Sequence, residues 1–571
     1  MTESTQHEYI GITIGPIYET ISIAKKPASM WLASYMFSYV GKLLCDKIVS
    51  DPKVSTKDLI SPHYEKSSLE NGIGSYSDRI VLQIADNKRA TSNEILRTIN
   101  SKIIPEVKEE IAKKVALKKS DGKKDTELEE YIESFIDIKA VQFQSSKKDA
   151  IGASAERLDT LELKKEYLSL NKTSQIIRNN GKDTGEGNKD IKKISVAFGI
   201  DDNLWQLTKD ESSEGKAVRN LKNVHDIAAI GSDGSADKKK IGRYFAVLQA
   251  DGDNMGRLLK NELIDGNIGD LSKALLEFSN EAPGIIGEFG GVTIYCGGDD
   301  ILALVPVYNT DKNETILDLT DELSVLFLDK MKNSVGIIAK KAAKKGKHEL
   351  EDEITNKKFV YPTLSFGAAV VYHKFPLYEA FNESYQMLSK VKDEGVTENK
   401  DGLGISLIKH SGKQQKFIIE GISKQPAPNQ DLLPYNFSGT LNKLIRLARN
   451  EEDEERYING ALHTMLRYEN LLEFAAEDTK KIDNVFKNIF DEAHHKEPDG
   501  AGEFKTQYDL ICELYKNVSK GVQVIEKDSK DKDAQENDAQ EKKLKSVKKL
   551  AYLLRFVRFF AENASEEEND G

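Results

Sequence analysis

The fold is indicated by one short stretch, which reads Ile294-Tyr295-Cys296-Gly297-Gly298-Asp299-Asp300-Ile301-Leu302. Apolar residues flank the Gly-Gly pair on both sides, a pattern typical of two strands joined by a tight turn with positive φ. Two acids follow the glycines, so they are predicted at the exposed tip of this hairpin. Acidic residues are also ordinary in hairpin turns, so the stretch alone leaves a purely structural role open.

A second acidic segment, Asp251-Gly252-Asp253-Asn254-Met255-Gly256, directly follows the apolar run Tyr244 to Ala250. A carboxylate at the end of that strand would project from the sheet, and the glycines would let the backbone approach a phosphate. Helical sequence separates this strand from the hairpin, so the acids of a β-α-β-β unit converge. Such acids can hold two Mg²⁺ or Mn²⁺ ions roughly 3.5–4 Å apart, which activate a hydroxyl and stabilise the pyrophosphate leaving a nucleoside triphosphate.

The composition limits what the whole chain can be. Its 571 residues correspond to about three or four domains, and the formal charge of −12 argues against a protein that coats nucleic acid by bulk charge. Any RNA contact must be local. The three cysteines, Cys45, Cys296 and Cys512, lie far apart, which excludes a disulfide framework and a four-thiolate zinc site and favours a reducing cytosol. No apolar run approaches the ~20 residues of a membrane helix, so neither a signal peptide nor a membrane span is expected.

The order of strand-like and helical segments predicts four units. Strands and helices alternate in residues 1–148, where 131–143 is mostly strand-like, so this region is predicted as a first α+β domain. Apolar density falls in 149–238, which predicts a helical insert with a loose loop. A second αβ unit follows at 239–412. Residues 413–571 show helical spacing without strand signals and predict a C-terminal helical bundle.

The two acidic segments together resemble the Palm domain shared by class III nucleotide cyclases, GGDEF-type cyclases and the large signature subunit of type III CRISPR effector complexes. Further stretches are similar to that subunit in its Cmr-type form, namely Ile14-Gly15-Pro16, Trp31-Leu32-Ala33-Ser34-Tyr35, Leu364-Ser365-Phe366-Gly367-Ala368-Ala369, Pro376-Leu377-Tyr378-Glu379-Ala380 and Ser411-Gly412-Lys413. The resemblance implies an α+β fold with two ferredoxin-like, adenylyl-cyclase-like Palm domains, a helical insert and a C-terminal helical bundle. Of the two Palm domains, only the second would carry the metal-binding acids.

The resemblance also implies an activity. Target RNA bound to a guide-loaded complex would activate this subunit to join ATP into a cyclic oligoadenylate second messenger. By position, Asp251, Asp299 and Asp300 would be the catalytic residues and would hold the metals. The nucleotide would be bound by Gly252, Asp253, Asn254, Gly297, Gly298, Ser365 and Lys392. Lys392 can also be read as a solvated helix lysine, and Ser365 as an ordinary strand serine.

The implied partners are other Cmr-type subunits, a guide RNA and a target RNA in a cytoplasmic ribonucleoprotein, without a membrane. Many relatives begin with a histidine-aspartate nuclease domain, but the first strand here starts at Tyr9, so no DNase activity is expected. Many also carry a cysteine zinc site in the insert, and no cysteine lies between Cys45 and Cys296, so no zinc is expected. The pairs His225-Asp226 and His494-His495 are interpreted as surface residues.

Three alternatives remain open from the sequence. Some relatives without the nuclease domain are thought to join AMP to S-adenosylmethionine, which would make S-adenosylmethionine a co-substrate at the same donor site. A second alternative is a catalytically silent scaffold for RNA and partner subunits, against which the acids at Asp251, Asp299 and Asp300 count. A third is a stand-alone diguanylate cyclase, which the long helical C-terminus and the duplicated Palm-like half disfavour.

Overall fold

A computed structural model provides the structure of the chain. It describes residues 6–23, 27–64, 76–115, 126–146, 149–163, 223–231, 240–256, 268–344, 351–352, 357–358, 362–393, 400–421, 437–450, 454–475, 479–490, 503–525 and 546–561. Most of the predicted insert and the predicted surface pair His494-His495 lie outside these ranges. Within them, no helix combines the length and the apolar character needed to cross a membrane.

The first unit is a four-stranded antiparallel sheet with helices. Its elements are β1 (Gln6–Gly15), α1 (Ile17–Ile23), α2 (Pro27–Val49), β2 (Leu59–Ser61), β3 (Arg79–Gln83), α3 (Arg89–Thr98), α4 (Ile104–Val115), α5 (Thr126–Phe135), β4 (Asp137–Ser146) and α6 (Ala150–Leu163). A 3₁₀ turn (Thr56–Asp58) precedes β2, and a π-helical turn (Ile99–Ile103) joins α3 to α4.

The predicted strand at residues 131–143 is wrong in its first half. Helix α5 continues to Phe135, and β4 begins only at Asp137. The apolar residues Ile132, Phe135 and Ile136 are buried and stand three and four positions apart, which is the spacing of one helix face. A short window of apolar residues cannot separate this spacing from strand alternation, because both place apolar side chains on one face.

The second unit contains the acidic segments. Its elements are α7 (Val224–Ala229), a 3₁₀ turn (Lys240–Arg243), β5 (Tyr244–Gly252), α8 (Ile268–Glu288), β6 (Val292–Gly297), β7 (Asp300–Pro306), β8 (Tyr308–Asn309), β9 (Glu314–Thr315), α9 (Ile316–Lys344), β10 (Glu351–Asp352), β11 (Lys357–Lys358), β12 (Leu364–Tyr372), α10 (Leu377–Lys392), β13 (Gly402–Ile408) and β14 (Gln414–Glu420). The C-terminal elements are α11 (Phe437–Asn450), α12 (Glu454–Arg467), α13 (Glu469–Ala475), α14 (Thr479–Ile489), α15 (Glu503–Gly521), β15 (Val522–Val524) and α16 (Ser546–Ala561).

The two main sheets share one topology. The first has the order β2-β3-β1-β4, and the seven-stranded second sheet has the order β15-β14-β13-β12-β5-β7-β6. In each unit the first strand therefore lies between the third and the fourth, with the second strand outside the third, which is the ferredoxin-like order. The second sheet is extended by β13, which pairs with β12 in parallel, and then by β14 and β15. The predicted α+β class with two such domains is confirmed.

The C-terminal helices pack against the second sheet. Phe559 of α16 meets the ring of Tyr244 of β5 edge to face, with centroids 4.9 Å apart, and Phe556 meets Phe417 of β14 at 5.2 Å. All four side chains are fully buried in one hydrophobic core. The sheet also continues past residue 412 through β14 and β15, so the C-terminal segment contributes strands as well as helices to the second unit.

The opposite face of the second sheet packs against the first unit. Ile294, Leu302 and Leu304 of β6 and β7 share a second hydrophobic cluster with residues of α2, including Trp31 and Tyr35. Side chains alternate across a strand, so Asp300 of β7 projects from the same face as Leu302 and Leu304. The acidic hairpin therefore faces the first unit.

Candidate functional site: an acidic hairpin opposite a lysine

The predicted hairpin is present and closes with a two-residue turn. Gly297 at the end of β6 pairs with Asp300 at the start of β7, which leaves Gly298 and Asp299 as the turn. Gly298 has a φ of +67°, a value that a residue with a side chain adopts only with strain. The hydroxyl of Ser279 on α8 donates to the carbonyl oxygen of Gly298 at 3.2 Å. This contact ties the turn to the helix beneath it.

Strand β5 brings the second acidic segment beside this turn. Its residue Ala250 pairs with Ile301, so Asp251 follows at the level of Asp300. Gly252 lies directly against the turn: a Cβ at this position would stand 2.6 Å from Oδ2 and 2.8 Å from Cβ of Asp299. Glycine is thus required for the close approach of Asp299 to the β5 backbone. The two acidic segments converge as the sequence predicted.

Lys392, in the last turn of α10, reaches the same point. Its Nζ forms an ion pair with Asp251 and donates to the carbonyl oxygen of Gly252 at 2.9 Å. Helix α10 can pack closely on the sheet because Gly367 of β12 lies under it. A Cβ on Gly367 would stand 2.2 Å from the carbonyl oxygen of Ser384 on α10. The lysine is therefore a built part of the acidic site and not a solvated surface residue.

Asp253 is the buried centre of a hydrogen-bond network. Its side chain is 1% exposed and accepts bonds from the Ser365 hydroxyl at 2.8 and 2.9 Å and from the Thr363 hydroxyl at 2.9 Å. The backbone amide of Asp401 donates to it at 3.1 Å. Ser365, expected from the sequence to contact nucleotide, is fully buried with its hydroxyl directed to Asp253. Both side chains hold the loop after β5 in place, and Asn254 ends it with a φ of +59°.

The site has more negative than positive charge. Burial and the neighbouring Asp251 raise the pKa of Asp299 to about 6, although the backbone amides of Asp299 and Gly252 and the charge of Lys392 oppose the shift. Asp300 keeps a solvent-exposed edge, but desolvation of its carboxylate beside the first unit and the charges of Asp299 and Asp251 hold its pKa well above its ordinary value. Burial also raises the pKa of Asp253, and Lys392, Ser365 and Thr363 limit that rise. A cation beside these acids would relieve their mutual repulsion.

Several residues of the site were not identified from the sequence. Thr363 and Asp401 bind the Asp253 carboxylate, and Asp78 of the first unit acts on Asp300 and Tyr295 by its charge. Asp78 stands just before β3, more than 200 positions from the hairpin, so no local pattern connects the two. Only the packing of the first unit on the second sheet brings them together.

The donor set fits a divalent cation with a nucleotide. Asp251, Asp299 and Asp300 offer carboxylate oxygens, the ligands that Mg²⁺ and Mn²⁺ prefer. Within the ranges that the structure describes, no three His, Cys, Asp or Glu side chains form a ready-made metal cage. Magnesium commonly takes one or two carboxylates and completes its shell with phosphate oxygens and water, so these residues are suited to a shared metal and triphosphate site.

Two protein families match this chain in sequence. Residues 244–403 match the family "Cas10/Cmr2, second palm domain", and residues 9–116 match "CRISPR-associated protein Cmr2, N-terminal". The first match contains every residue of the acidic site except Asp78, which lies in the second match. A curated relative, the CRISPR system Cmr subunit Cmr2 of Pyrococcus furiosus, is 27% identical over 243 residues. That alignment covers 37% of this chain and 24% of the relative, about a quarter of its length.

Two solved structures share the fold. One is the apo state of type III-B Cmr-beta, with a TM-score of 0.53 and 12% identity. The match covers 98% of this chain and 82% of the Cmr-beta chain. The other is type III-B Cmr-beta bound to cognate target RNA, with a TM-score of 0.54 and 10% identity. The match covers 98% of this chain and 84% of the Cmr-beta chain. The resemblance to the Cmr-type large subunit drawn from the sequence is confirmed.

Proposed function

We propose that this chain, which carries Cmr2-type palm and N-terminal domains, is the RNA-activated nucleotidyltransferase subunit of a type III-B CRISPR ribonucleoprotein. Its product would be a cyclic oligoadenylate made from ATP. The observation that carries the proposal is the convergence of Asp251, Asp299 and Lys392 at the end of β5. Acidic side chains with raised pKa values and a single lysine are a favourable binding site for metal-bound triphosphate.

In this proposal Asp251, Asp299 and Asp300 hold Mg²⁺ or Mn²⁺. The bound ions would lower the pKa of the attacking hydroxyl and neutralise the charge on the leaving pyrophosphate. Lys392 places a positive charge at the Gly252 carbonyl, where the loop after β5 would meet phosphate oxygens. Gly252, Gly297 and Gly298 leave the backbone at this point without side chains, so phosphates can approach it closely.

Asp253 and Ser365 have a different proposed role from that of the metal-binding acids. Their side chains are buried and bound to each other, so we assign them to positioning the loop and not to contact with nucleotide. Thr363 and the amide of Asp401 complete this arrangement. A fixed loop keeps Asp251 and the Gly252 carbonyl in place beside Asp299, which serves preorganised electrostatic stabilisation.

The partners follow from the same proposal. One Cmr-beta structure of similar fold is bound to cognate target RNA. We propose that this chain likewise assembles with other Cmr-type subunits, a guide RNA and a target RNA. The net charge of −12 makes binding of a long RNA by the isolated chain unfavourable, so activation would depend on the assembled complex.

The experiment is reconstitution of the complex with guide RNA, ATP and Mg²⁺, with and without complementary target RNA, followed by mass spectrometry of the products. Cyclic oligoadenylates that form only with target RNA are expected. A parallel reaction with S-adenosylmethionine tests the alternative acceptor, because an AMP conjugate has its own mass. Absence of any nucleotide product from an assembled, target-bound complex would contradict the proposal and favour the scaffold alternative.

A further inference from the structure

The far end of the second sheet carries a row of aromatic rings. Tyr372 ends β12, and its ring lies 4.4 Å from that of His373 and 4.7 Å from that of His410, centroid to centroid. The ring of His225, in α7, lies 5.1 Å from that of His373. These four residues, His225, His373, Tyr372 and His410, are called the histidine–tyrosine row below. Three of the nine histidines of the chain are gathered in it.

The row is well separated from the acidic site. On β12, Leu364 pairs with Gly252 at the acidic end, whereas Tyr372 pairs with Tyr244 at the other end. The eight intervening steps correspond to roughly 25 Å at the usual rise of ~3.3 Å per strand residue. The row therefore takes no part in the metal chemistry proposed above.

Backbone contacts fix the row in position. The amide of His410 donates to the Tyr244 hydroxyl at 3.0 Å, and the amide of His373 donates to the Arg243 carbonyl at 2.9 Å. The Nδ1 of His373 also lies 3.1 Å from that carbonyl, so Nδ1 carries the proton and donates there. Solvent reaches the outer members, since the His225 side chain is 66% exposed and His410 is exposed.

Two lysines lie close in sequence to members of the row. Lys374 follows His373, and Lys413 stands in the turn between β13 and β14, where Gly412 has a φ of +78°. Both lysines are exposed. Burial lowers the pKa of His373, and the charges of His225, Lys374 and Arg243 lower it further. A carboxylate oxygen of Asp226 lies 3.7 Å from Nδ1 of His225.

The exposed rings of His225 and His410, beside the exposed Lys374 and Lys413, are suited to a single-stranded nucleic acid. Unstacked bases pack on aromatic and histidine rings, while lysines neutralise the adjacent phosphates. We propose that the histidine–tyrosine row, with Lys374 and Lys413, binds a single-stranded segment of RNA. This site goes beyond the proposed synthesis, because it lies at the other end of the sheet and requires neither ATP nor the acidic residues.

The test measures binding of the full chain to a short unstructured oligoribonucleotide by fluorescence anisotropy over a range of salt concentrations. Each phosphate contact on a single strand contributes ~0.7 to the slope of log K against log salt, so Lys374→Ala with Lys413→Ala should reduce the slope by about 1.4. His410→Ala should weaken binding about fivefold or more and restore the fluorescence of a 2-aminopurine base in the strand. The matched control is Lys57→Ala with Lys102→Ala, two exposed lysines of the first unit.

The outcomes separate the partners. Weaker binding of single-stranded DNA than of single-stranded RNA would support the proposal and identify RNA as the ligand of the row. Equal affinity for a blunt duplex or for inorganic polyphosphate would overturn it, because neither offers unstacked bases. The proposal would also be overturned if the slope of log K against log salt were the same for the Lys374→Ala, Lys413→Ala variant and for the control variant. Unchanged RNA binding together with lost assembly of partner subunits would overturn it too and would assign the surface to a protein.

Discussion

Replacing Asp299 by asparagine should stabilise the metal-free protein, although it removes a residue assigned to catalysis. The carboxylate is confined beside Asp251, and its pKa of about 6 exceeds the ordinary value of 3.8 by about two pH units. At ~1.4 kcal/mol per unit, ionising Asp299 costs the folded state at most about 3 kcal/mol. Solvent reaches part of this side chain, so we expect about half of that value to be recovered in the variant.

The effect of Asp299→Asn has a defined pH dependence. The folded state holds this proton more tightly than the unfolded state, so the wild-type loses stability as the pH rises from about 4 through about 6. The gain of the variant should therefore be close to zero at pH 4 and complete above pH 7. With ~2–4 °C of melting temperature per kcal/mol for a domain of this size, the expected difference is about 3–6 °C at pH 8.

The assay is thermal unfolding of the full chain in metal-free buffer between pH 4 and pH 8. Asp329→Asn is the control, because Asp329 is an exposed residue of α9 away from the acidic site. Added Mg²⁺ or Mn²⁺ should raise the melting temperature of the wild-type and of the control, and much less that of Asp299→Asn. A variant that melts at or below the wild-type temperature throughout would refute the argument that Asp299 is held against electrostatic repulsion.

Two further predictions concern the loop after β5. Gly252→Ala places a Cβ 2.6 Å from the Asp299 carboxylate, so nucleotide synthesis in the reconstituted complex should fall about 100-fold, the usual effect of a ~1 Å displacement, with an unchanged circular dichroism spectrum. Ser365→Ala leaves the buried Asp253 without one donor and should cost about 1–3 kcal/mol in urea unfolding. Ser324→Ala is its control, because that buried hydroxyl has no hydrogen-bond partner among the described residues, and an equal loss in both variants would contradict the network.

The hairpin and its neighbouring strand were predictable because their signals are local. The Gly297-Gly298 pair specifies a tight turn between apolar strands, and the acids beside it reveal the site. The alternation of strands and helices indicated an α+β domain, and the ferredoxin-like order was implied by the resemblance to Palm domains. The extension of the sheet by β13, β14 and β15 was not predicted, because the pairing of distant segments leaves no signal in the local hydrophobic pattern of any of them.

The roles of Lys392 and Asp253 depend on contacts that no short pattern shows. Lys392 reaches Asp251 only because α10 packs on Gly367, 25 positions earlier in the chain. In the sequence Asp253 looks like an ordinary loop acid. In the structure its carboxylate accepts hydrogen bonds from the hydroxyls of Ser365 and Thr363, which lie more than 100 positions later in the chain. The sequence placed both residues near the acidic segments, and tertiary packing decided which atoms each side chain meets.

The central claim is that the acids of the hairpin carry out RNA-dependent nucleotide synthesis. The most direct measurement compares the wild-type complex with one containing Asp299→Ala and Asp300→Ala, each supplied with guide RNA, target RNA, ATP and Mg²⁺, with products identified by mass spectrometry. The proposal predicts that the variant assembles normally and makes no cyclic oligoadenylate. Product formation by the variant at the wild-type rate would contradict the assignment of the site.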